Sequence, residues 1–239
     1  MSSPLIQTHN LTKTFSRKND SPVKALDAVN LEVLAGEFLA IVGPSGSGKT
    51  TLLNLIGALD YPTSGDVFFD GKSLKSYTKD ALADLRREKI GFIFQTFNLL
   101  PSLTVVENVE SALIHSGLSK KEMAEKAAAL LDSFGLAEKA NMLPLELSVG
   151  QQQKVAIARA LVREPVLVLA DEPTGEMDPM AGKDITAKLV ELNRKSKVAV
   201  VVVSHGVFPF PLADRALFLK GGRVVSRAEA GYDEIASLG

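Results

Sequence analysis

Hydrophobic residues along this chain follow two patterns that alternate over much of its length. Short apolar runs predict strands, and because several of these runs are unbroken, they are typical of a sheet that is covered on both faces. The predicted strands are residues 31–33, 38–42, 66–69, 90–94, 166–170, 198–203 and 216–219. Apolar residues at helical spacing predict the helices, over residues 51–59, 79–88, 122–134, 151–162 and 182–196.

Capping residues mark the ends of several helices. A Ser or Thr followed three residues later by Glu or Gln forms a capping box, which satisfies free amides of the first helical turn. Such pairs are Thr104 with Glu107, Ser119 with Glu122, and Ser148 with Gln151. Gly135 is expected to end the helix over 122–134 as a left-handed cap.

The order of these elements predicts the fold class. Strands and helices alternate at both ends of the chain, whereas residues 96–161 are almost purely helical. We therefore expect an α/β fold in one domain over residues 1–239, with a helical insertion over residues 96–161. The polar stretch 16–22 is expected to be a loop that joins two N-terminal strands.

Composition narrows the classes of protein that remain. The 239 residues are 46% hydrophobic, which is enough for a sizeable core. The chain has 27 basic and 28 acidic residues, so it lacks the basic excess of nucleic-acid-binding proteins, and no nucleic-acid partner is expected. The absence of cysteine excludes disulfides and thiolate metal sites.

The chain carries no sign of a membrane-spanning or secreted protein. Its N-terminus lacks the basic-then-apolar layout of a signal peptide, and the apolar run 198–203 is too short to cross a bilayer. We expect a soluble, cytoplasmic chain that reaches a membrane only through a partner.

A glycine-rich loop stands between the predicted strand 38–42 and the predicted helix 51–59. Residues 43–50 fit the pattern GxxxxGK[ST], whose glycines let backbone amides wrap phosphate groups. In this pattern Lys49 reaches the β- and γ-phosphates, and the Thr50 hydroxyl binds Mg²⁺. The candidate ATP-binding residues are Gly43, Pro44, Ser45, Gly46, Ser47, Gly48, Lys49, Thr50 and Thr51.

Two carboxylates follow the apolar strand 166–170. Such a sheet binds ligands at the edge where its strands end, so Asp171 can hold Mg²⁺ there. Glu172 can act as the general base for an attacking water. The alternative to a catalytic role is structural: the two acidic residues end the strand and cap the next helix.

The segment LSVGQQQ raises a question about Gly150. The capping box explains Ser148 and Gln151, but a better helix former at position 150 would be more stable by roughly 1 kcal/mol. A helix N-terminus beside a glycine is a suitable site for an anion.

The succession of GPSGSGKTT, Gln95, LSVGQQQ, LVLADEPT and Ser204-His205 resembles that of ATP-binding cassette ATPases, over essentially the whole chain. This resemblance implies a RecA-like P-loop NTPase core with an N-terminal antiparallel β-subdomain and a helical subdomain. It also implies hydrolysis of ATP with Mg²⁺ in a homodimer, in which two copies face each other head to tail and hold two ATP molecules between them.

The resemblance also implies roles for individual residues. The signature residues Ser148, Gly150 and Gln151 would meet the ATP bound to the other copy. Gln95 would contact Mg²⁺ or the attacking water, and His205 would bind the γ-phosphate and orient Glu172.

The resemblance also implies that Phe15 and Asp178 belong to the ATP site, although no motif around either residue supports this. Phe15 falls where an aromatic ring stacks on adenine, although a phenylalanine here could equally belong to the core. Asp178 matches the loop that crosses to the other copy.

This chain departs from the family pattern at a few positions. Val149 replaces the first glycine of the usual LSGGQ, Glu176 and Met177 precede Asp178, and Gly206 replaces an acidic residue. None of these changes removes a catalytic group, so we expect an active ATPase.

Residues 90–108 are similar to those of cassette ATPases for lipoprotein release, macrolide export and cell division. This implies the motor subunit of an exporter or extraction system, peripheral on the inner face of the membrane and bound to a separate integral-membrane permease. The apolar residues that would line the permease groove, or else belong to the subdomain core, are Leu99, Leu100, Pro101 and Leu103.

Other functions stay open at this stage. The same group includes complexes that transmit force across a membrane and move no substrate. A soluble mechanoenzyme acting on DNA or ribosomes is disfavoured by the single cassette and the balanced charge. A small-molecule kinase would not need the LSVGQ helix.

Overall fold

The computed structural model of the chain describes residues 3–17, 20–175, 177–205 and 212–231. The strands are β1 (Ile6–Arg17), β2 (Asp20–Val33), β3 (Phe38–Val42), β4 (Ser64–Phe69), β5 (Lys72–Ser73), β6 (Ile90–Ile93), β7 (Leu167–Asp171), β8 (Ala199–Ser204), β9 (Arg215–Lys220) and β10 (Arg223–Val225).

The α-helices are α1 (Lys49–Ile56), α2 (Lys79–Lys89), α3 (Val105–Glu110), α4 (Lys120–Ser133), α5 (Val149–Leu161), α6 (Pro179–Ser196) and α7 (Arg227–Ala230). Short 3₁₀ turns cover Leu74–Ser76, Ser111–Leu113, Ala137–Lys139 and Pro144–Glu146.

The strands form two sheets. The first has the order β2-β1-β4-β5 and is antiparallel throughout. The second has the order β10-β9-β3-β8-β7-β6, in which β10 is antiparallel to β9 and the remaining neighbours are parallel. Because parallel strands end at the same edge, the segments that follow β3, β6, β7 and β8 meet there. An α/β core with an antiparallel β-sheet is therefore confirmed.

The parallel sheet is covered on both faces. Along β3, Phe38 and Ala40 point into one hydrophobic cluster with residues of α3 to α6, whereas Leu39 and Ile41 point into another with α1, β1 and β2. All four side chains are buried. This double burial explains why the sequence shows unbroken apolar runs at these strands.

Each predicted strand and helix is present, and most ends lie within three residues of the prediction. The exception is the strand predicted over residues 31–33, which is the last part of β2, a strand that begins at Asp20. Bounds were not predicted for several elements, among them β1, α3 and β10. The twelve residues of β1, IQTHNLTKTFSR, mix polar and apolar positions, and its pairing with β2 is interrupted by irregularities, so a regular alternation is lost.

The loop predicted over residues 16–22 is wrong in its extent. β1 continues to Arg17 and β2 begins at Asp20, and the two residues pair across the hairpin. Only 18 and 19 remain between the strands, and they lie outside the described residues. The loop was predicted from its polar side chains, but strand ends that are exposed to water can also be polar.

The capping predictions are confirmed. Capping boxes are formed at Thr104, Ser119 and Ser148, each with the Glu or Gln three residues later. Gly135 adopts φ 68, and the amide of the next residue, Leu136, donates to the carbonyl of Leu131 at 2.9 Å, which ends α4 as predicted.

Residues 96–161 contain helices and turns without a strand, and all of them are described. Their apolar side chains join the cluster on one face of the parallel sheet. The division of the chain into a core and a helical subdomain over 96–161 stays a prediction. Among the helices that the structure describes, none combines the length and apolar composition that crossing a membrane requires.

Candidate functional site

The predicted residues of the phosphate loop, the carboxylate pair, Gln95 and His205 come together at one edge of the parallel sheet. The loop 43–48 follows β3, Gln95 follows β6, Glu172 follows β7 and His205 follows β8. These strands are neighbours and parallel, so the fold brings the four segments to the carboxyl edge, where such sheets bind ligands.

Two glycines of the loop are required by close backbone packing. A Cβ atom at Gly43 would lie 2.1 Å from the carbonyl oxygen of Leu219, and one at Gly48 would lie 2.3 Å from that of Ala25. Gly48 also has φ 103, a conformation that favours glycine. The loop therefore keeps its path only with glycine at both positions.

The loop leads directly into α1, which offers free amide groups. The N-cap of α1 is Gly48, no side chain caps the helix, and its first turn carries no acidic residue. The first amides of a helix have no partner within the helix, and the helix dipole favours an anion beside them. This start of α1 therefore suits a phosphate group, in agreement with the sequence pattern.

Lys49 places a cation inside the loop. Its side chain is buried and donates from Nζ to the carbonyl oxygens of Gly43 at 2.9 Å and Pro44 at 3.0 Å. Burial lowers the pKa of Lys49, and the nearby carboxylates of Glu172 and Asp171 oppose this shift. An ammonium group with little access to water is well placed to bind an anion in the loop.

Thr50 and Asp171, the residues predicted to bind Mg²⁺, are joined by a side-chain hydrogen bond. Burial raises the pKa of Asp171 above its usual value and the charge of Glu172 raises it further, whereas a hydrogen bond with the Thr50 side chain and the charge of Lys49 lower it. A hydroxyl beside a carboxylate is a donor set that suits a hard cation such as Mg²⁺. In the described part of the chain, no cluster of three or more His, Cys, Asp or Glu side chains could hold a metal by itself.

Glu172 is held in an unusual backbone conformation. It has φ 45, which is sparsely populated by residues other than glycine. Its amide donates to the carbonyl of Val203 at 3.0 Å, and its carbonyl accepts from the amide of Gly175 at 3.0 Å. The surrounding chain therefore fixes the direction in which the carboxylate points, which is a common arrangement at functional sites.

The Glu172 carboxylate contacts His205. Glu172 Oε2 lies 2.5 Å from His205 Nδ1, with the histidine half exposed and the glutamate largely buried. Gly175 borders both candidate side chains, because a Cβ there would lie 3.4 Å from Glu172 Oε2 and 3.6 Å from Gln95 Nε2. The three predicted catalytic residues thus share one small region.

The signature segment is at the exposed start of α5. Ser148 Oγ accepts from the amide of Gln151 at 3.4 Å, and Gln151 Oε1 accepts from the amide of Ser148 at 3.0 Å. A Cβ at Gly150 would meet only the Cβ of Ala181, at 3.6 Å, which is an ordinary contact. Contacts among the described residues therefore account for Ser148 and Gln151 but not for a glycine at position 150.

Asp178 and Phe15 lie at two other places on the surface. Asp178 is the N-cap of α6, and its Oδ1 accepts from the amides of Met180 and Ala181 at 3.0 Å each. Phe15 on β1 is 42% exposed, with Lys13 Nζ 5.0 Å from the centre of its ring. Phe15 is therefore not a core residue, and the alternative of a core phenylalanine is wrong.

Two residues of α5 were missed by the sequence analysis. Gln153 is fully buried and donates from Nε2 to the carbonyl of Pro173 at 2.7 Å. Arg159 donates to the carbonyl oxygens of Asn98 at 2.5 Å and Phe97 at 2.7 Å. A signal for Gln153 existed, because it stands four residues before Ile157 and thus shares the apolar face of the helix.

Comparison with known proteins identifies the family. Residues 26–175 match the profile of the family described as ABC transporter. The chain is 44% identical to the uncharacterized ABC transporter ATP-binding protein YvrO of Bacillus subtilis, covering 92% of this chain and 96% of YvrO. It is 42% identical to the macrolide export ATP-binding/permease protein MacB of Sodalis glossinidius, covering 99% of this chain but only 36% of MacB.

A solved structure agrees with the sequence comparison. The cassette MJ0796 of Methanocaldococcus jannaschii, in a structure described as dimeric, superposes with a TM-score of 0.86 at 44% identity, over 92% of this chain and 97% of that one. A second structure of MJ0796, described as a post-hydrolysis state bound to ADP and Pi, superposes with a TM-score of 0.85 at 43% identity, with the same coverage of both chains. The chain therefore belongs to the ABC transporter family, and it is an ATP-binding cassette ATPase.

Proposed function

We propose that this ATPase is the motor subunit of a membrane transporter, an exporter or extraction system that works with a separate integral-membrane permease. The observation that carries the proposal is the exposed start of α5, where no contact with the described residues explains Gly150. A second copy that places its ATP against Ser148 and Gly150 would supply that explanation. The dimeric structure of MJ0796 and the name of MacB support this interpretation.

Within one copy, the loop 43–51 holds the phosphates of ATP. Backbone amides and Lys49 neutralise the β- and γ-phosphates, and the Phe15 ring stacks on the adenine. Thr50, Asp171 and Gln95 hold Mg²⁺, which when bound neutralises charge that develops on the phosphate oxygens. The pairing of Thr50 with Asp171 supports this assignment.

Glu172 acts as the general base. It accepts a proton from the water that attacks the γ-phosphorus, and the bond between that phosphorus and the bridging oxygen breaks to give ADP and phosphate. His205 orients the carboxylate through the contact of its Nδ1 with Oε2. The fixed backbone of Glu172 supports this role, because a base must be held in a narrow range of positions.

The second copy completes each site. The start of α5, with Ser148, Gly150 and Gln151, faces the γ-phosphate that the other copy binds, where the helix dipole favours negative charge. Asp178 begins α6 beside α5, since Gly150 approaches Ala181, and therefore lies on the same face. ATP holds the two copies together, and hydrolysis releases them.

The permease docks in a groove on the side of the chain. This groove has a volume of about 630 Å³, and its lining includes Arg86, Phe92, Phe94, Ile114, Arg159 and Arg163. The stacked rings of Phe92 and Phe94, 5.9 Å apart, offer an apolar floor between the arginines. A short helix on the cytoplasmic side of the permease would fit such a groove and bring the chain to the inner face of the membrane.

The four residues predicted to contact the permease do not line this groove. Leu99 packs against the core, and Leu100 is half exposed but belongs to a turn held by Asn108, whose Oδ1 accepts from the Leu100 amide at 2.7 Å. Neither these two nor Pro101 and Leu103 are among the lining residues. Their part in the contact with the permease stays a prediction.

The test is purification of tagged Glu172→Gln protein from membranes of the cells that produce it, with ATP and with a Lys49→Ala variant as control. We expect the Glu172→Gln protein to retain a protein with a few membrane-spanning segments, and the control to retain much less. Recovery of ribosomes or DNA alone would overturn the proposal. Reconstitution of the recovered membrane protein with the unchanged cassette then separates transport, in which substrate stimulates the ATPase, from force transmission, in which none does.

A further inference from the structure

Helix α5 links the exposed signature segment to the loop that carries Glu172. Gln153 lies one turn after Ser148, at 0% exposure, and its Nε2 donates to the carbonyl oxygen of Pro173 at 2.7 Å. Pro173 directly follows Glu172. The hydrogen bond therefore holds the peptide group next to the catalytic carboxylate to a point near the start of α5.

Stability alone does not explain a glutamine at position 153. Its Oε1 atom is buried and has no hydrogen-bond partner in the part of the chain that the structure describes. A buried acceptor without a partner costs about 1–3 kcal/mol. Methionine has a similar shape and no such acceptor, so it would fill the same space but would leave the Pro173 carbonyl without its donor. The donor function of Gln153 toward Pro173 is the property that glutamine adds.

The same helix is tied to the loop that carries Gln95. Arg159 donates to the carbonyl oxygens of Phe97 and Asn98, which both adopt positive φ angles of 59 and 49. Two consecutive residues in this conformation are strained, and the guanidinium group compensates by binding both carbonyls. α5 therefore has one hydrogen-bonded connection to each of the two loops that bear predicted catalytic groups.

We propose that Gln153 is a positioning residue that couples the start of α5 to Glu172. ATP held by the second copy presses on Ser148 and Gly150, and α5 passes the resulting shift to Pro173 and so to the carboxylate of the same chain. Because each copy does this for the other, the two ATP sites become coupled, and the coupling is reciprocal. The inference rests on the proposed sandwich dimer.

The test compares Gln153→Met with Gln152→Met. Gln152 precedes Gln153 on the helix, and its side-chain Nε2 donates to the carbonyl of Leu147 at 3.2 Å. Since Leu147 lies just before α5 and not in the loop of Glu172, Gln152 is a matched control. Steady-state ATPase activity is measured against ATP concentration to give kcat, KM and the Hill coefficient. Thermal unfolding confirms that both variants are folded.

For Gln153→Met we expect kcat to fall by about tenfold to a hundredfold, because a small misplacement of a reacting group has an effect of that order. We expect KM to stay within about twofold, since the phosphate loop is untouched. We expect the Hill coefficient to approach one, because the two ATP sites are no longer coupled. Gln152→Met should behave like the unchanged protein. Equal kcat and Hill coefficients in the two variants would overturn the inference.

A second variant keeps the test decisive if Gln153→Met fails to fold. In Gln153→Glu the side chain can donate to Pro173 only while it is protonated. Because burial raises the pKa of a glutamate by several units, the kcat of this variant relative to the unchanged protein should fall between about pH 6 and about pH 9. A ratio of one across that range would overturn the inference.

A separate measurement isolates the proposed dimer. Sedimentation of the Glu172→Gln protein with ATP shows whether two copies associate. If they do not, the proposed function fails and the inference fails with it. If they do associate and the two methionine variants behave alike, only the inference on Gln153 fails.

Discussion

The two glycines at the proposed anion sites, Gly43 in the phosphate loop and Gly150 in the signature segment, differ in what requires them. At Gly43 a Cβ would collide with the Leu219 carbonyl at 2.1 Å, so the fold itself demands glycine. At Gly150 a Cβ would meet only Ala181, at 3.6 Å. The comparison teaches that a residue which costs helix stability and serves no internal contact points to a ligand outside the chain.

The largest effect on ATPase activity is expected from Glu172, which lies with the phosphate loop in the half of the site that a single copy forms. Glu172→Gln should lower kcat by about a thousandfold, because the general base is lost. ATP binding and ATP-driven dimerisation should persist, since the substitution removes no phosphate contact. Single-turnover hydrolysis and nucleotide binding measure the two effects. Glu125→Gln, an exposed change on α4, is the control, and a Glu172→Gln protein with the unchanged rate would refute the assignment.

Gly43→Ala should destabilise the fold by about 3 kcal/mol, because the backbone of β9 or the loop must move to admit the new methyl group. Denaturant unfolding gives the free energy of unfolding directly. A variant as stable as the unchanged protein would show that the loop can relax, and the contrast between the two glycines would then disappear.

Gly150→Ala, in contrast to Gly43→Ala, should impair activity without destabilising the fold. The free energy of unfolding should stay the same or rise by up to about 1 kcal/mol, because alanine favours the helix. ATPase activity should nevertheless fall by about tenfold, since a methyl group enters the space proposed for the phosphate of the other copy. Unfolding and ATPase assays on one preparation test both parts. Loss of stability together with unchanged activity would contradict the proposed role of this face.

The smallest effect is expected at Phe15. Phe15→Ala should raise KM for ATP by about threefold to tenfold, the order of one stacking contact, with little change in stability because the ring is 42% exposed. Leu34→Ala, a comparably exposed apolar residue in the turn after β2, serves as the control. Equal KM values in the two variants would remove Phe15 from the site.

The phosphate-loop half was predictable from sequence because its determinants are local. The apolar run 38–42 coincides with β3, and a glycine-rich loop before a helix constrains the backbone by itself. The carboxylates at the end of β7 were equally evident, since a buried strand that ends in acidic residues leaves few alternatives. These features depend on neighbours in sequence, so the pattern contains most of the information.

The features that were missed depend on contacts between distant segments. The hydrogen bond of Gln153 joins residues 20 positions apart, and that of Arg159 to Asn98 joins residues 61 apart. The turn at Leu100 is likewise held by the buried Asn108, which accepts from the Leu100 amide and donates to the Leu100 carbonyl. Pattern analysis cannot reveal which polar residue will be buried to hold a loop.

The backbone of Glu172 has a consequence for the evolution and engineering of this enzyme. Its φ of 45 is a conformation that glycine or asparagine adopts with less strain than glutamate. Either substitution would relieve strain in the resting protein and remove the proposed base at the same time. Selection for thermal stability alone would therefore favour inactive chains at this position, so that the fold and the reaction make opposing demands on a single residue.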